Sequence, residues 1–595
     1  MTAAPAILVL DAGAIALGRR LAEAVGGDLH GLAGRADEAD VRFASVLEHA
    51  QALFTAGRPM IGICAAGILI RAVGGLASDK HAEPPVLVVS HDGASVVPLL
   101  GGHRGANDLA GRIAGVTGGH AAVTTAGDTV HGVALDADFP CWRLANPGDA
   151  KRIMARIVGG EAFGMDGELP FRIEGGSDGA AIRLIGSDRP VETNGSALVW
   201  HPQRYVLGVG SARNCPVEEL SALVDGVLKD AGVAPGAVAC IASIDLKADE
   251  LAMLELSSRL AQPFRLFDAA ALEAETPRLA NPSETVFAEV GCHGVAEAAA
   301  LAAAGSEAEL VVAKRKSANA TAALARAPQP VDPLQAGRAR GAVHVIGIGP
   351  GRADWRSPEA ARRIAAADDI VGYGLYLDLV ADLAPRSRMT EFPLGQETER
   401  CAWALERAAE GRTVALISSG DAGIYAMAAL VEELVADGKV SEAARRVEVS
   451  VTPGISALQA AAARSGAPLG HDFCAISLSD LLTPWPVIER RIRAAAEGDF
   501  VIAFYNPVSK RRRTQLAAAK DILLGHRPPS TPVILATDLG RPAENVRVIA
   551  LEDLQVDEVD MLTTVMVGSS DTRTYQAAGR ARVFTPRGYA GKDRT

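Results

Sequence analysis

Short apolar runs recur along this chain, and each is stopped by Gly, Ser, Asp or Pro. Ala6–Leu10, Pro59–Cys64, Val86–Ser90 and Ser95–Leu100 form a first group, and Tyr205–Gly210, Val238–Ile244 and Leu310–Lys314 a second. A third comprises Val343–Gly347, Ile370–Tyr373, Thr413–Ile417 and Val447–Val451, and a fourth Phe500–Phe504, Pro532–Leu535, Val546–Ile549 and Thr564–Gly568. Apolar runs of about four to eight residues between turn formers read as buried strands. The stretches between many of them carry a helical period and are rich in alanine, including about 358–367 and 399–410. Strands alternating with helices predict a multidomain α/β protein, with an antiparallel region where the last two strands follow one another closely.

The spacing breaks in two places. Residues of about 130–200 hold several Gly, Asp and Pro turns and read as a bridging unit without chemistry. Ala327–Pro333 has three prolines, and Gly337–Gly341 alternates charge, which predicts a linker. The expected division is 1–130, a middle region 131–202, 203–325, a linker 326–341, two subdomains at 342–455 and 456–585, and a tail 586–595.

The length of 595 residues suits about three to five domains. With 49 % hydrophobic and only 4 % aromatic residues, several alanine-packed cores are expected. The formal net charge of −12 opposes general nucleic-acid binding. Seven scattered cysteines without a C-x-x-C pair support neither a zinc ribbon nor a thioredoxin-type motif, predict no metal and fit a reducing cytosol. No apolar stretch approaches the roughly 20 residues of a membrane span, and the first residues lack a basic leader, so a cytoplasmic protein is expected.

The chemistry is expected at strand ends, because ligands of open α/β sheets bind there. Val343-His-Val-Ile-Gly-Ile-Gly-Pro-Gly351 runs from a strand straight into a permissive loop. It is not a dinucleotide fingerprint: Arg352 stands where the third glycine belongs, and Pro350 has no N–H for a pyrophosphate. No Gly-Lys-Ser/Thr follows, so it is not a P-loop either. Such a loop suits a phosphate-free ligand held by shape, of which S-adenosylmethionine (SAM) is one. Two further strands end alike, in Ser418–Gly423 and Thr452–Ser456. Asp421 there suits a helix N-cap, a ligand contact, or both. In the first group, Leu99-Leu-Gly-Gly-His-Arg-Gly-Ala-Asn107 is either an anion site, with Arg104 beside a helix start, or a plain corner that needs its glycines.

Val345–Gly351, Ser418–Met427 and Val451–Ala457, in that order, resemble three signatures of the tetrapyrrole methylase family. Gly470–Trp485, Phe504–Arg512 and Val565–Arg573 narrow the resemblance to the precorrin-3B C17-methyltransferases, over about 342–585. The resemblance implies two α/β subdomains with SAM between them, a homodimer, and methylation of precorrin-3B with ring contraction to precorrin-4. A cobalt-containing precorrin of the cobalt-factor III type is the alternative substrate. It implies SAM contacts at Gly349, Pro350, Gly420, Asp421, Ile424, Thr452 and Pro453, at Phe504 or Tyr505, and at Thr564. His471, Asp472 and Asp480 become acid–base candidates for ring contraction, and Lys510, Arg511 and Arg512 candidates for the substrate's carboxylates. Diphthine synthase and an rRNA methyltransferase share the fold, but the acidity and the Ser477–Trp485 block oppose both.

Ile61–Arg71, Leu99–Asn107 and Ile241–Glu250 resemble the cobalt-precorrin-5A hydrolase family, over about residues 1–325. That family opens a δ-lactone and releases acetaldehyde. His103 and Asp245 then become hydrolytic candidates, Arg104 and Lys247 substrate contacts, with Glu289 and His293 behind them. Asp245–Glu250 reads equally as a charged loop, and the whole half as a tetrapyrrole-binding or handover module.

Overall fold

The computed structural model describes residues 4–78, 82–124, 135, 139–173, 175–509 and 512–589. The chain forms an α/β series of sheets. The first sheet has seven strands in the order Val41–Phe43, Asp28–Leu32, Ala6–Val9, Met60–Ile63, Val86–Val89, Ser95–Leu100, His120–Ala121. The first five are parallel, and Ser95–Leu100 returns antiparallel, Val86 facing Leu100. The chain leaves Ala6–Val9 to one side and returns at Met60–Ile63 on the other. The ends of these two strands therefore flank a topological switch point.

Residues 142–202 differ from the irregular unit expected. They hold a four-stranded sheet, Trp142–Leu144, Ala197–Pro202, Ile182–Gly186 and Phe163–Asp166, with the helix Pro147–Val158 against it. Trp200, Ile153 and Ile157 make its core. Its strands are short and joined by polar Gly-rich loops, so their apolar period is too brief to read from sequence.

The third sheet runs Glu309–Lys316, Ala320–Arg326, Tyr205–Ser211, Val238–Ile244, Phe264–Phe267, Arg338–Ala339. The helix Ala296–Ala304 lies so close to it that a Cβ at Gly208 would stand 1.9 Å from the Ala296 carbonyl oxygen. The predicted linker is not a free tether. Arg338–Ala339 adds a strand beside Phe264–Phe267, and Arg265, buried, donates to the carbonyls of Ala336 at 2.6 Å and Gly337 at 2.9 Å. Prolines stiffened the stretch, but a buried arginine docked it.

The fourth sheet is all parallel: Met389–Glu391, Asp369–Gly372, Thr413–Ser418, Ala342–Gly347, Glu448–Thr452. The fifth is mixed: Phe473–Ser477, Val501–Tyr505, Thr563–Val567, Pro532–Thr537, Asn545–Ala550. The antiparallel region is present, but Pro532–Thr537 lies between the two strands expected to neighbour one another. A small sheet of Gly466–Ala467, Arg580–Phe584 and Arg573–Ala577 completes the chain.

The first sheet's unit docks on the fourth through a buried arginine. Arg58 donates to the carbonyls of Ala4 at 2.7 Å and Leu383 at 2.8 Å and pairs with Asp28, which also holds Arg388 at 2.7 Å. Ala56 joins the apolar cluster of Ile346, Ile364 and Ile417. Beside this seam, His30 and His49 meet at 2.8 Å in the buried interior, with Phe43 stacked on His49 at 4.4 Å. Burial pulls His49 down to about 4 and holds His30 well below the ordinary histidine value. Both are neutral at pH 7, whereas an unfolded chain protonates them below about pH 6.5. A depressed histidine pKa gives stability that is full above about pH 6.5 and is lost as pH falls towards 4. Unfolding of the N-terminal unit is therefore expected to become easier over that window. His49→Phe should flatten the loss, as read by urea midpoints at pH 7, 5.5 and 4.5.

Candidate functional site

Three strand ends of the fourth sheet meet in one place. Gly347 closes Ala342–Gly347, Ser418 closes Thr413–Ser418, and Thr452 closes Glu448–Thr452. The loops beyond them touch backbone to backbone. Gly349 and Gly420 exchange both hydrogen bonds, at 3.1 and 2.9 Å. A Cβ on Gly347 would lie 2.7 Å from the Gly420 carbonyl oxygen, and one on Gly454 only 2.1 Å from the same atom. Gly349 and Gly420 also hold positive φ, 76° and 69°, which side chains oppose.

Asp421 sews two of these loops together. Its carboxylate accepts from the Gly423 N–H at 2.8 Å and from the Gly454 N–H at 3.0 Å. It does not cap the next helix: Met427–Ala436 starts after Ala426, with no side-chain cap. Behind the loops, the Thr452 and Ser418 hydroxyls are buried without a hydrogen-bond partner among the described residues. Ser456 closes the third loop with a capping box on Gln459, at the head of Ala457–Ser465.

The fifth sheet faces this edge. The Leu458 N–H donates to the Tyr505 hydroxyl at 3.2 Å, and the Tyr505 ring lies 5.4 Å from Tyr425. Burial raises the Tyr505 phenol. Tyr425, at φ 51°, donates to the Ala475 carbonyl at 2.9 Å, so one tyrosine spans the gap between the sheets. On the other side, a Cβ on Gly351 would strike Gly540 and Arg541 at 2.8 Å, and Arg464 stacks 4.6 Å over the Trp355 ring. The result is a cleft floored by loop backbone, walled by Tyr425 and Tyr505, and bounded where Gly351 packs on Gly540. Its backbone polar groups are largely satisfied at Gly349 and Gly420, so those two supply shape rather than donors. Behind it lie the buried Thr452 and Ser418 hydroxyls, without a hydrogen-bond partner among the described residues. Such a floor fits SAM, a ligand with hydroxyl, amino and carboxylate groups but no phosphate.

The structure sorts the expected residues. Gly349, Pro350, Gly420, Asp421, Ile424, Thr452 and Pro453 lie on the three loops, Pro350 and Thr452 buried and Pro453 exposed. Tyr505 is at the wall, whereas Phe504 points into the core, 1 % exposed. Thr564, nearly buried, starts the neighbouring strand on the same edge. The acid–base candidates are split. His471 and Asp472 form an exposed pair at 3.4 Å just before Phe473–Ser477, whereas Asp480 follows that strand at its other end. The cleft is at Asp480's end, with Tyr505 and Asn506, so His471 and Asp472 are removed from it by the length of a strand. Asp480 accepts from Gln515 at 2.9 Å. Arg512 is not a free cation either. It is buried, binding the Asn506 carbonyl at 2.7 Å and the Ser479 hydroxyl at 3.1 Å, because the turn after Tyr505 needs its carbonyl satisfied. Lys510 and Arg511 lie outside the described residues. The expected list omitted Tyr425, whose motif carries no visible signal for a left-handed tyrosine, and Gly454, which Thr-Pro-Gly did announce.

In the N-terminal half, His103 and Arg104 follow an antiparallel strand. They sit at the end of the first sheet opposite the switch point, and Arg104, exposed, reaches the Ala82 carbonyl at 3.4 Å. The side chain of His103 is outside the described residues. Gly101 packs on Pro84, its Cβ position 2.6 Å from the Pro84 carbonyl oxygen, as a plain corner requires. The switch point instead presents Asp11 and His91, 3.1 Å apart and exposed. Asp245 is bound to Arg338 at 3.0 Å, and Arg338 also holds the Ala409 carbonyl at 2.9 Å. Asp245 thus ties the two halves at a cavity of about 230 Å³ with Arg340, Glu442 and Arg446. Lys247 is half-buried near Glu250, at 3.8 Å, and burial lowers its pKa. Glu289 is exposed, and His293 lies at the same strand edge as Asp245.

Gly454→Ala must push apart the two loops that Asp421 joins. It is expected to cost SAM affinity at least about 100-fold while leaving a folded protein, as read by calorimetry and circular dichroism. Asp421→Ala leaves the Gly454 and Gly423 N–H groups unpaired, and a loss of roughly 1–3 kcal/mol in SAM binding is expected from the same titration.

Residues 342–555 match the family Tetrapyrrole (Corrin/Porphyrin) Methylases. Residues 48–128 match Cobalamin synthesis G N-terminal and 205–325 Cobalamin synthesis G C-terminus. A precorrin-3B C(17)-methyltransferase of Sinorhizobium sp is 46 % identical over 252 residues, 42 % of this chain and 98 % of that protein. A probable cobalt-factor III C(17)-methyltransferase of Salmonella typhimurium is 47 % identical over 245 residues, 41 % of this chain and 98 % of that protein. The crystal structure of the methyltransferase CobJ is 44 % identical, covering 41 % of this chain and 100 % of that one, with a TM-score of 0.38. None of the described helices is long and apolar enough to cross a membrane. The chain belongs to the tetrapyrrole methylases: it is a SAM-dependent C-methyltransferase whose catalytic part follows a cobalamin-synthesis-G-like module.

Proposed function

We propose that this chain methylates precorrin-3B at C17, with ring contraction to precorrin-4, in corrin biosynthesis. The observation that carries the reading is the cleft in which three signature loops meet, in a stretch 46 % identical to nearly the whole of a precorrin-3B C(17)-methyltransferase. SAM, when bound, supplies an electrophilic methyl group. The Gly349, Pro350, Gly420, Asp421, Ile424, Thr452, Pro453, Tyr505 and Thr564 surface holds it, with Asp421 fixing the loops. Tyr425 and Tyr505 shield the reacting carbon from water, and positioning supplies most of the rate. Asp480, at the cleft edge, is the better acid–base candidate than His471 or Asp472. Lys510 and Arg511 are assigned to the substrate's carboxylates from the sequence.

A second reading has an observation of its own: 47 % identity to a probable cobalt-factor III C(17)-methyltransferase favours a cobalt-bearing substrate. We infer further that the protein is cytoplasmic and a homodimer through the methylase part, where Leu481, Leu482 and Met561 are 85, 97 and 57 % exposed. We propose the division 1–130, 131–202, 203–325, a connector 326–341, 342–455, 456–585 and a tail 586–595, which the separate sheets support.

The purified protein with SAM and precorrin-3B is expected to give a methylated, ring-contracted pigment, seen by mass and absorbance. Turnover of cobalt-factor III alone would select the second reading, and turnover of neither would refute both. His471→Ala should keep at least about one third of the rate, whereas Asp480→Asn should lose about 100-fold.

A further inference from the structure

The connector between the two halves carries a basic motif that methyl transfer does not use. Arg338 and Arg340 stand two positions apart in Gly337-Arg-Ala-Arg-Gly341, a spacing that puts side chains of an extended backbone on one face. Both line a cavity of about 230 Å³, with Asp245 from the third sheet's unit and Glu442 and Arg446 from the methylase part. Its lining comes from three separate segments, so neither half forms the cavity alone.

The cavity holds more cation than anion: three guanidiniums line it against two carboxylates. Asp245 accepts from Arg338 Nη2 at 3.0 Å, and Glu442 from Arg446 Nη2 at 3.0 Å. Glu442 also accepts from Arg445 at 2.7 Å and is 67 % exposed, so its charge is shared and hydrated. Arg340 has no carboxylate partner among the described residues. Its Nε and Nη2 donate to the carbonyls of Arg446 and Val447, at 2.9 and 3.2 Å. Arg340 Nη1, Arg338 Nε and Arg446 Nε have no acceptor among the described residues. Burial is the largest influence on the Arg340 guanidinium and lowers its pKa, against the charge of Glu448 and Asp249. A desolvated cation without a counter-ion costs free energy, and like charges around one small cavity repel.

We propose that this cavity binds a phosphate-type oxyanion, either free phosphate or the phosphoryl end of an ester, which staples the connector to both halves. The open N–H groups belong to three guanidiniums on separate segments. A tetrahedral oxyanion offers oxygens in several directions, whereas a carboxylate offers two in one plane, and guanidiniums bind such oxygens by charge-assisted hydrogen bonds. One water needs roughly 15 Å³ of such a cavity, so an oxyanion fits with part of its hydration shell. A whole tetrapyrrole does not. The site lies where Asp245 follows Val238–Ile244, at the carboxyl edge at which open α/β sheets take ligands. On the methylase side it meets Gly341 and Val447, at the strand ends away from the SAM loops. The oxyanion therefore acts on the seam and not on the methyl group.

The test is calorimetry on the full-length protein at constant ionic strength, with inorganic phosphate, glycerol 3-phosphate and acetate. The ester carries no adenine for the SAM cleft to take. Phosphate should bind saturably with a Kd of about 1 mM or tighter, and acetate at least about tenfold more weakly. A tighter glycerol 3-phosphate identifies an ester as the source, and an equal or weaker one free phosphate; either supports the site. Arg340→Gln should weaken phosphate at least about tenfold. Glu442→Gln removes a competing carboxylate and should tighten phosphate about threefold, a gain that a damaged fold does not give. Phosphate should also slow hydrogen exchange at the amides of 338–341 and 443–447 in the unsubstituted protein, which locates the ion even where Arg340→Gln does not fold. No saturable phosphate binding, acetate binding as tight as phosphate, or phosphate binding that neither protects those amides nor tightens in Glu442→Gln overturns the proposal.

Discussion

Everything in the methylase part depends on three loops approaching closer than a methyl group allows. Gly347, Gly420 and Gly454 lie backbone against backbone, and the carboxylate of Asp421 accepts N–H groups on both sides of the seam. A charged acceptor shared by two backbone donors is stronger than a neutral hydrogen bond and fixes their geometry. The loops therefore form a surface shaped by main chain. That surface can hold a phosphate-free cofactor without dedicated cations, and the fifth sheet meets it through Tyr425, Tyr505 and the Gly351–Gly540 contact.

The two halves are joined by arginines. Arg58 crosses from the first sheet to the Leu383 carbonyl, Arg338 from the third to the Ala409 carbonyl, and Arg340 reaches the Arg446 carbonyl at 2.9 Å. A guanidinium presents several donors in a fixed plane, which suits capping carbonyls of another unit. The cavity at Asp245 and Arg338 opens on Gly341 and Val447, at the amino ends of the methylase strands. The cofactor loops are at their carboxyl ends.

Asp480 and His471 show why a motif does not assign a role. They stand nine positions apart in one signature block, yet a strand runs between them and leaves them at opposite edges of the sheet. Arg512 shows the converse: a basic run reads as substrate contact, but the nearest carbonyl claims its guanidinium.

The alternation of apolar runs and turn formers was enough to announce α/β sheets, because burial on both faces of a parallel strand leaves few other residues. The loop signatures were local enough to be read directly: Gly-x-Gly-Pro-Gly, Ser-Gly-Asp and Thr-Pro-Gly lie next to the strands that place them. What required the tertiary structure were relations between distant segments. The pairing of Glu273 with His293, the bridge from Tyr425 to Ala475, the hidden sheet of 142–202 and the docking of 326–341 on Arg265 all join residues from separate elements. Periodicity records which face of an element is buried, and only packing decides what that face meets.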